Sequence, residues 1–206
     1  SWRPDLNEPC DLVGEIARLV GYDQIPITVP PAPVEGLVGL TPDQQRRRRV
    51  ADELAEFGMV ESLSYPFVGD DDYKAFGFDP EATKKVSVEI ANPLYGDRPY
   101  LRREILPTLA TTVQRNIRRG IENVSLYELG HVYLWDPNAP VIPALPGGVR
   151  PTDEQLAALD AGLPEQPDHV AGILTGLAED DGWMGGKRPV DWSDAVEAVR
   201  RIAGRI

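Results

Sequence analysis

The sequence predicts an α+β fold in which an antiparallel sheet is flanked by helices. An amphipathic helix at 107–119 and a long strand at 125–135 follow one another, joined by a short glycine turn. The other strands are separated by helices of uneven length, and several are long enough to pair as neighbours. This order favours helices packed against a sheet of neighbouring strands.

The first helix is predicted at 9–21, with Leu12, Ile16 and Leu19 directed inward and Gly21 ending the helix. The following residues, 25–42, contain five prolines and two glycines. Such a composition is typical of an extended linker. We therefore predict a boundary between two structural units here.

A second helix is predicted at 42–57, because Thr41 and Gln44 have the spacing of a capping box. Beyond this helix, the segments 60–67 and 86–90 alternate apolar with polar residues. Alternation with a period of two predicts a strand in each segment.

The helix at 107–119 and the strand at 125–135 form the centre of the predicted fold. Pro107 suits the first helical turn, and Gly120 suits the left-handed residue after a helix. Both faces of the strand carry apolar residues. We therefore expect an interior strand that is covered on at least part of each side.

The C-terminal part is predicted to contain an exposed insertion at 136–168, a strand at 170–177 and a helix at about 193–201. The insertion holds seven prolines and a short amphipathic helix, for which Thr152 and Gln155 provide a capping box.

Charge and cysteine content exclude several classes of protein. A net charge of -12 argues against a free-standing duplex-DNA binder, which needs a basic surface. Residues 98–119 nevertheless hold six arginines against one glutamate, so we expect a local anionic partner or an acidic subunit surface.

Cys10 is the only cysteine, which favours a reducing compartment. There is no membrane-spanning apolar run, no signal-peptide pattern and no initiator methionine, and we interpret the chain as part of a longer one.

Three carboxylates at the first helix, Asp5, Asp11 and Glu15, are candidate metal ligands. Carboxylates at the start of a helix also interact favourably with its dipole, which is the simpler explanation. A site for a hard cation is the alternative, because Asp11 and Glu15 share a helix face and Asp5 can fold back towards them.

Two groups of arginines are candidates for contact with a partner protein or with RNA. Arg46 to Arg49 occupy more than one helical turn and cannot all face one way, so a solvated helix end is the alternative. The contact residues that we select are Arg46, Arg47, Arg102, Arg103, Arg115, Arg118 and Arg119.

The residues provide no catalytic site, and we assign no catalytic residue. A catalytic nucleophile needs a base within reach, but the two histidines are His131, predicted to be packed within a strand, and His169, beside the insertion. The sequence lacks an HExxH motif, a cysteine cluster and a Walker motif, which sets zinc and P-loop chemistry aside.

Several phrases of the sequence resemble, in the same order, the beta subunits of bacterial phenylalanyl-tRNA synthetases. The opening SWRPDLNEPCDLVGEIARLVGYDQIP resembles the end of their DNA-binding-fold-like, winged-helix-like domain. The later phrases resemble their synthetase-like module: LTPDQQRRRRVADELAEFGMVESLSYPF, NPLYGDRPYLRREILPTLATTVQRNIRRG, ENVSLYELGHVY and GILTGLAEDDGWMGGKRPVDWSDAVEAVRRI. The resemblance implies that residues 1–30 end the first domain, 31–40 are a linker and 41–206 form a C-terminally truncated core module with an insertion at 136–168.

The resemblance also implies a class II aminoacyl-tRNA synthetase fold that is catalytically degenerate. In this family the alpha subunit activates phenylalanine with ATP, and the beta subunit completes an alpha2beta2 assembly that charges tRNA(Phe). Active class II enzymes carry a phrase like F-R-x-E, whose Arg neutralises the ATP α-phosphate. Here Tyr133, Leu134 and Asp136 fall where Phe, Arg and Glu would be. We therefore expect this chain to be part of a ligase but inactive alone, and not to bind the ATP that the assembled enzyme uses.

The same resemblance places a Mg²⁺ site at Asp5, Asp11 and Glu15, with Gly14 where the family has a Glu. It implies the alpha subunit and tRNA(Phe) as partners, no membrane association and a cytoplasmic location. Two alternatives stay open: a module that binds tRNA phosphates through the arginine groups, and an independently active class II amino-acid ligase.

Overall fold

The computed structural model describes residues 2–30, 39–183 and 185–206. The chain divides into two compact units, an N-terminal unit of residues 1–40 and a C-terminal unit of residues 41–206. Most of the predicted linker lies outside the described residues.

Seven helices and seven strands are found in the described part of the chain, together with a 3-10 turn at Tyr22–Gln24. The helices are α1 (Pro9–Val20), α2 (Pro42–Glu56), α3 (Asp70–Ala75), α4 (Pro80–Lys84), α5 (Leu106–Arg118), α6 (Asp153–Ala161) and α7 (Trp192–Ala203). The strands are β1 (Val60–Glu61), β2 (Phe67–Val68), β3 (Tyr100–Leu101), β4 (Val124–His131), β5 (Asp168–Thr175), β6 (Leu177–Glu179) and β7 (Arg188–Pro189).

Helix α1 forms as predicted, but its apolar side is not buried. No residue of α1 is buried, and Leu12 and Leu19 are 53% and 81% exposed. Within the N-terminal unit, the 3-10 turn is the element that contacts α1 among the described residues. The inward direction expected for these side chains was therefore wrong, because the short 3-10 turn that contacts α1 in the described part of this unit leaves them exposed.

The capping boxes form as the sequence predicts. The Thr41 hydroxyl accepts a hydrogen bond from the Gln44 N–H, and the Gln44 side chain accepts one from the Thr41 N–H, at 3.3 and 3.0 Å. The same reciprocal pair forms between Thr152 and Gln155 at the start of α6. Gly120 follows α5 with a φ of +86°, a conformation that favours glycine.

The main sheet has the strand order β1-β4-β5, with β4 in the centre. β4 and β5 are antiparallel over their full length, from Val124 opposite Thr175 to His131 opposite Asp168. β1 is parallel to β4, so the prediction of an antiparallel sheet holds for only part of this sheet. Parallel pairing requires a crossover connection, and the chain from β1 to β4, which contains α5, provides one.

Residues 60–67 do not form the single predicted strand. Val60 and Glu61 pair with β4, whereas β2 begins at Phe67 and pairs with β3 in a separate two-stranded sheet. Pro66 interrupts the segment because it has no N–H to donate to a ladder.

The predicted strand at 86–90 is also wrong, because Glu89 forms only an isolated bridge to Tyr100. The N–H groups of Val86 and Ser87 instead donate back to Thr83 and Lys84, which extends the turn after α4.

β4 ends at His131 rather than at 135. The next pair along the ladder would place Val132 opposite Pro167, which has no N–H to donate. β5 is likewise shorter than the run to 177, because Gly176 separates it from β6 with a φ of +82°.

Both faces of β4 are covered, as the sequence predicts. On one face, the buried residues of α2, β4 and α7, together with Met59 just before β1, form a cluster that consists of Val50, Leu54, Met59, Tyr127, Leu129 and Ala198. On the other face, α5 covers a second cluster of Ile105, Leu109 and Val132, with Leu126, Leu134, Ala171 and Ile173 packed against it. This arrangement confirms the α+β class and places β4 at the centre of the C-terminal unit.

Candidate functional site

The three predicted metal ligands are engaged by groups of the protein. The guanidinium of Arg3 contacts Asp5 at 2.7 Å and Glu15 at 2.9 Å, and Arg18 contacts the other oxygen of Glu15. Arg3 lowers the pKa of the Asp5 carboxyl to about 2. Hydrogen bonds from Arg3 and Arg18 also lower the pKa of Glu15 below its ordinary value. An arginine side chain therefore lies between two of the three carboxylates.

The third carboxylate, Asp11, caps the start of α1. Its Oδ2 accepts hydrogen bonds from the backbone N–H groups of Glu8 and Asn7, both at 2.9 Å, and these bonds lower its pKa. Nowhere in residues 2–30, 39–183 and 185–206 do three or more His, Cys, Asp or Glu side chains lie together in a way that could hold a metal. As arranged here, the carboxylates do not fit a Mg²⁺ ion, and the magnesium site stays a prediction.

Leu134 is partly buried and packs against the protein core. It lies against the buried cluster of Ile105, Leu109 and Val132, and its N–H donates to the Glu165 carbonyl at 2.9 Å. Asp136, the residue that falls at the Glu of the class II phrase, accepts a hydrogen bond from the Asn138 N–H in an exposed turn. The segment just after β4 therefore presents an aliphatic side chain to the core where the class II motif has a cation.

Arg102 is buried, although we selected it as a surface contact. Its guanidinium forms a buried ion pair with Glu128 and donates to the Thr108 hydroxyl and the His131 carbonyl, both at 3.1 Å. A Cβ at Gly130 would collide with this guanidinium, so the glycine permits the close approach. Arg102 is 4% exposed and is not available to a partner, because its charge is neutralised inside the fold.

The other selected arginines are divided between structural and exposed positions. Arg47 donates to Asp168 at 3.1 Å and to the Leu129 carbonyl at 2.9 Å, and thereby joins α2 to the end of the β4–β5 pair. Arg46 pairs with Asp43 within α2. Arg103 is half-buried, and its Nε has no hydrogen-bond partner among the described residues.

Arg115, Arg118 and Arg119 are exposed at the C-terminal end of α5. In the described part of the chain, no ion pair with a carboxylate involves these three arginines. They form a basic surface, and the predicted contact role stays a prediction for them.

His131 is half-exposed rather than packed, because it lies at the end of β4 instead of in its middle. Its Nδ1 is 3.1 Å from the Gln166 carbonyl and 3.4 Å from Asp168, which also pairs with Arg47. No hydroxyl or thiol nucleophile is hydrogen-bonded to His131 among the described residues. This arrangement provides no catalytic dyad.

The structure also brings together a cleft that the sequence did not reveal. We call it the α5 cleft; it has a volume of about 500 Å³ and lies in the C-terminal unit. Its lining comes from three segments: Leu63, Ser64, Tyr65 and Phe67; Tyr95, Asp97 and Arg98; and Thr108, Thr111, Thr112 and Arg115. The local signals were the aromatic residues around Pro66 and the arginines of α5, but the three segments are far apart in sequence.

A family model described as the phenylalanyl tRNA synthetase beta chain CLM domain matches residues 25–206. The phenylalanine-tRNA ligase beta subunit of Bifidobacterium longum (strain NCC 2705) is 99% identical to this chain over 206 residues, which are 100% of this chain and 24% of that protein. The corresponding subunit of Streptomyces avermitilis is 44% identical over 203 residues, covering 98% of this chain and 24% of that protein. This chain thus spans about a quarter of the length of these curated relatives.

Among solved structures, the pyrrolysyl-tRNA synthetase of Desulfitobacterium hafniense matches with 14% identity and a TM-score of 0.38, over 46% of this chain and 32% of that one. This partial likeness carries no argument about the fold, whereas the family match covers the whole C-terminal unit. The chain belongs to the family of phenylalanyl-tRNA synthetase beta chains.

Proposed function

We propose that this chain is a non-catalytic, structural part of the beta subunit of phenylalanine-tRNA ligase. In this proposal it has a class II synthetase-like fold and supports an alpha2beta2 assembly that charges tRNA(Phe) with phenylalanine at the expense of ATP. Family membership supports the proposal.

The observation that carries the proposal is the position of Leu134. A class II ligase needs a guanidinium that neutralises the ATP α-phosphate as charge develops. Leu134 instead packs against Ile105, Leu109 and Val132. An aliphatic side chain in this position offers the phosphate no charge, so ATP binding and phenylalanine activation are assigned to the alpha subunit.

The proposed structural role rests on the packing of the α2 and α5 helices. The apolar sides of α2 and α5 are buried against β4 through Val50, Leu54 and Leu109, which makes the C-terminal unit a preformed body. Ile117 of α5 remains 46% exposed, and the alpha subunit is the partner that we propose for the exposed apolar surface. No helix in the described residues has the length and apolar character needed to cross a membrane. We propose a cytoplasmic location from the aminoacylation role.

The catalytic part of the proposal is tested by exchange of pyrophosphate into ATP with phenylalanine present. We expect no exchange above background and no saturable heat when ATP is titrated into the chain. Saturable ATP binding, or exchange that survives in a Leu134→Ala variant prepared without contaminating enzyme, would support an independently active ligase instead.

The structural part is tested by mixing the chain with the separately produced alpha subunit. We expect light scattering to detect a complex with a mass above that of either component. Components that elute separately at concentrations of tens of micromolar would contradict the proposed assembly role.

A further inference from the structure

The α5 cleft is a candidate binding site whose ligand can be argued from its side chains. Its volume of about 500 Å³ lies within the range of small-molecule sites, roughly 300–1,000 Å³. We propose that the α5 cleft binds one unpaired nucleotide of a single-stranded RNA, with the base on Tyr65 and the phosphate beside Arg115.

The charge around the cleft favours an anionic ligand. Arg98 and Arg115 both line it, while Asp97 is the one carboxylate in the lining. Arg98 also pairs with Asp72 at 3.3 Å, so Arg115 is the cation that we assign to the ligand. Arg118 and Arg119 lie three and four residues beyond Arg115, on the neighbouring turn of the same helix face. Their charges extend the basic surface from the cleft along α5. A polyanion with several phosphates would need such an extended basic surface.

The aromatic side chains favour a planar ligand. The rings of Tyr65 and Phe67 are nearly parallel, with an interplanar angle of 8° and centroids 5.9 Å apart. Tyr65 is 69% exposed although it lines the cleft, and Tyr95 is 47% exposed. An exposed ring that is already held by a second ring is a suitable platform for a base.

One polar group in the cleft also lacks a partner. The Oγ of Ser64 is buried and makes no hydrogen bond with any described residue. A buried hydroxyl without a partner is costly, but this oxygen is enclosed by the protein and is not counted among the groups that contact the nucleotide.

The combined charge and rings distinguish RNA from an apolar protein segment. A protein segment would use exposed apolar residues such as Leu63, but it would give no role to Arg115, Arg118 and Arg119. Of the six arginines of residues 98–119, Arg115, Arg118 and Arg119 are exposed and form no ion pair with a carboxylate among the described residues, in a chain of net charge -12. A single strand is preferred to a duplex because stacking on Tyr65 requires a base that is free of its own stack.

The experiment measures binding of a fluorescently labelled hexaribonucleotide, rA6, to the full 206-residue chain by anisotropy at several salt concentrations. Tyr65→Leu keeps an apolar side chain but removes the ring, and we expect affinity to fall by about 5- to 150-fold, the usual range for one stacked base. Tyr65→Phe should retain the affinity. Arg115→Gln should weaken binding and reduce the slope of log affinity against log salt by about 0.7.

Arg200→Gln is the matched control, because Arg200 is also an exposed helical arginine and the change in net charge is the same. It should leave both affinity and salt slope unchanged. Equal losses in Arg115→Gln and Arg200→Gln, parental affinity in Tyr65→Leu, or no binding of rA6 would each overturn the proposal. The circular dichroism and unfolding midpoint of each variant establish that it is folded. This test uses no alpha subunit, so its failure is distinguishable from failure of the assembly role.

Discussion

The buried pair of Arg102 and Glu128 is the residue-scale feature with the largest expected effect on stability. Both side chains are almost fully buried, and the guanidinium also serves Thr108 and the His131 carbonyl. Arg102→Met should lower the free energy of unfolding by roughly 3–5 kcal/mol, because it leaves a buried carboxylate without its cation. Chemical denaturation measures this loss.

The control is the double variant Arg102→Met with Glu128→Met, which removes both charges and fills similar volume. It should recover most of the stability, since apolar replacement of a whole buried pair is often neutral or better. A double variant as unstable as the single one would show that the pair is favourable in itself.

A second residue-scale prediction concerns Arg3 and the magnesium hypothesis. Because Arg3 holds Asp5 and Glu15, a cation would have to displace its guanidinium. We expect calorimetric titration with Mg²⁺ to give no saturable heat at about 1 mM ion in the parent, and a measurable affinity in Arg3→Gln. Saturable binding in the parent would instead favour the magnesium site predicted from the sequence, with the carboxylates rearranged around the ion.

At the scale of one element, the start of α7 should respond to acid. Arg188 contacts both oxygens of Asp194, at 2.7 and 3.0 Å, and Asp194 also accepts the Asp191 N–H. Arg188 is the main reason that the pKa of Asp194 falls from 3.8 to about 2. A carboxyl whose pKa is lower in the folded state than in the unfolded state stabilises the fold. The full contribution is present at pH values above the unfolded-state pKa. This contribution disappears as the pH falls from about 4 towards 2.

The measurement is the unfolding midpoint in denaturant between about pH 5 and pH 2. The parent should lose stability more steeply than Asp194→Asn, which no longer gains from ionisation. Asp181→Asn has the same change in charge at an exposed loop position, and it should follow the parent curve. If Asp194→Asn also follows that curve, the ion pair has no net effect on stability.

At the scale of the whole molecule, the N-terminal unit exposes an apolar helix surface. Leu12, Ile16 and Leu19 are 53%, 59% and 81% exposed. Exposed apolar patches promote association, so we expect the chain alone to self-associate as concentration rises. Leu19→Lys should reduce the concentration dependence of the sedimentation coefficient, whereas Thr28→Lys should not. Equal behaviour of the two variants would locate the association elsewhere.

Local features of the fold were predictable from the sequence because they depend on neighbours along the chain. The capping boxes at Thr41 and Thr152 join residues three apart, and the alternation of β4 is a period of two. Strand lengths were less predictable. β4 stops at His131 because of Pro167, the residue just before β5, and the apolar pattern to 135 contains no sign of it.

The candidate sites also include features that the sequence predicts and features that depend on distant contacts. The sequence shows an aliphatic residue, Leu134, at the position of the arginine once the class II motif is aligned with residues 133–136. The burial of Arg102 was not visible, since its partner Glu128 is 26 residues away and a surface arginine has the same local pattern. The α5 cleft was missed for the same reason, because its walls meet only when α5 packs beside the β2 region.

The family, the α+β class, the starts of α2 and α6 and the aliphatic residue at 134 could all be inferred from the amino-acid sequence. These follow from residue identity, from short-range hydrogen bonds and from periodicity. Three features emerged only from the folded chain: β1 pairs in parallel, Arg3 lies between Asp5 and Glu15, and Tyr65 and Arg115 share one cleft. Each of these depends on packing between segments that the chain brings together after its local elements have formed.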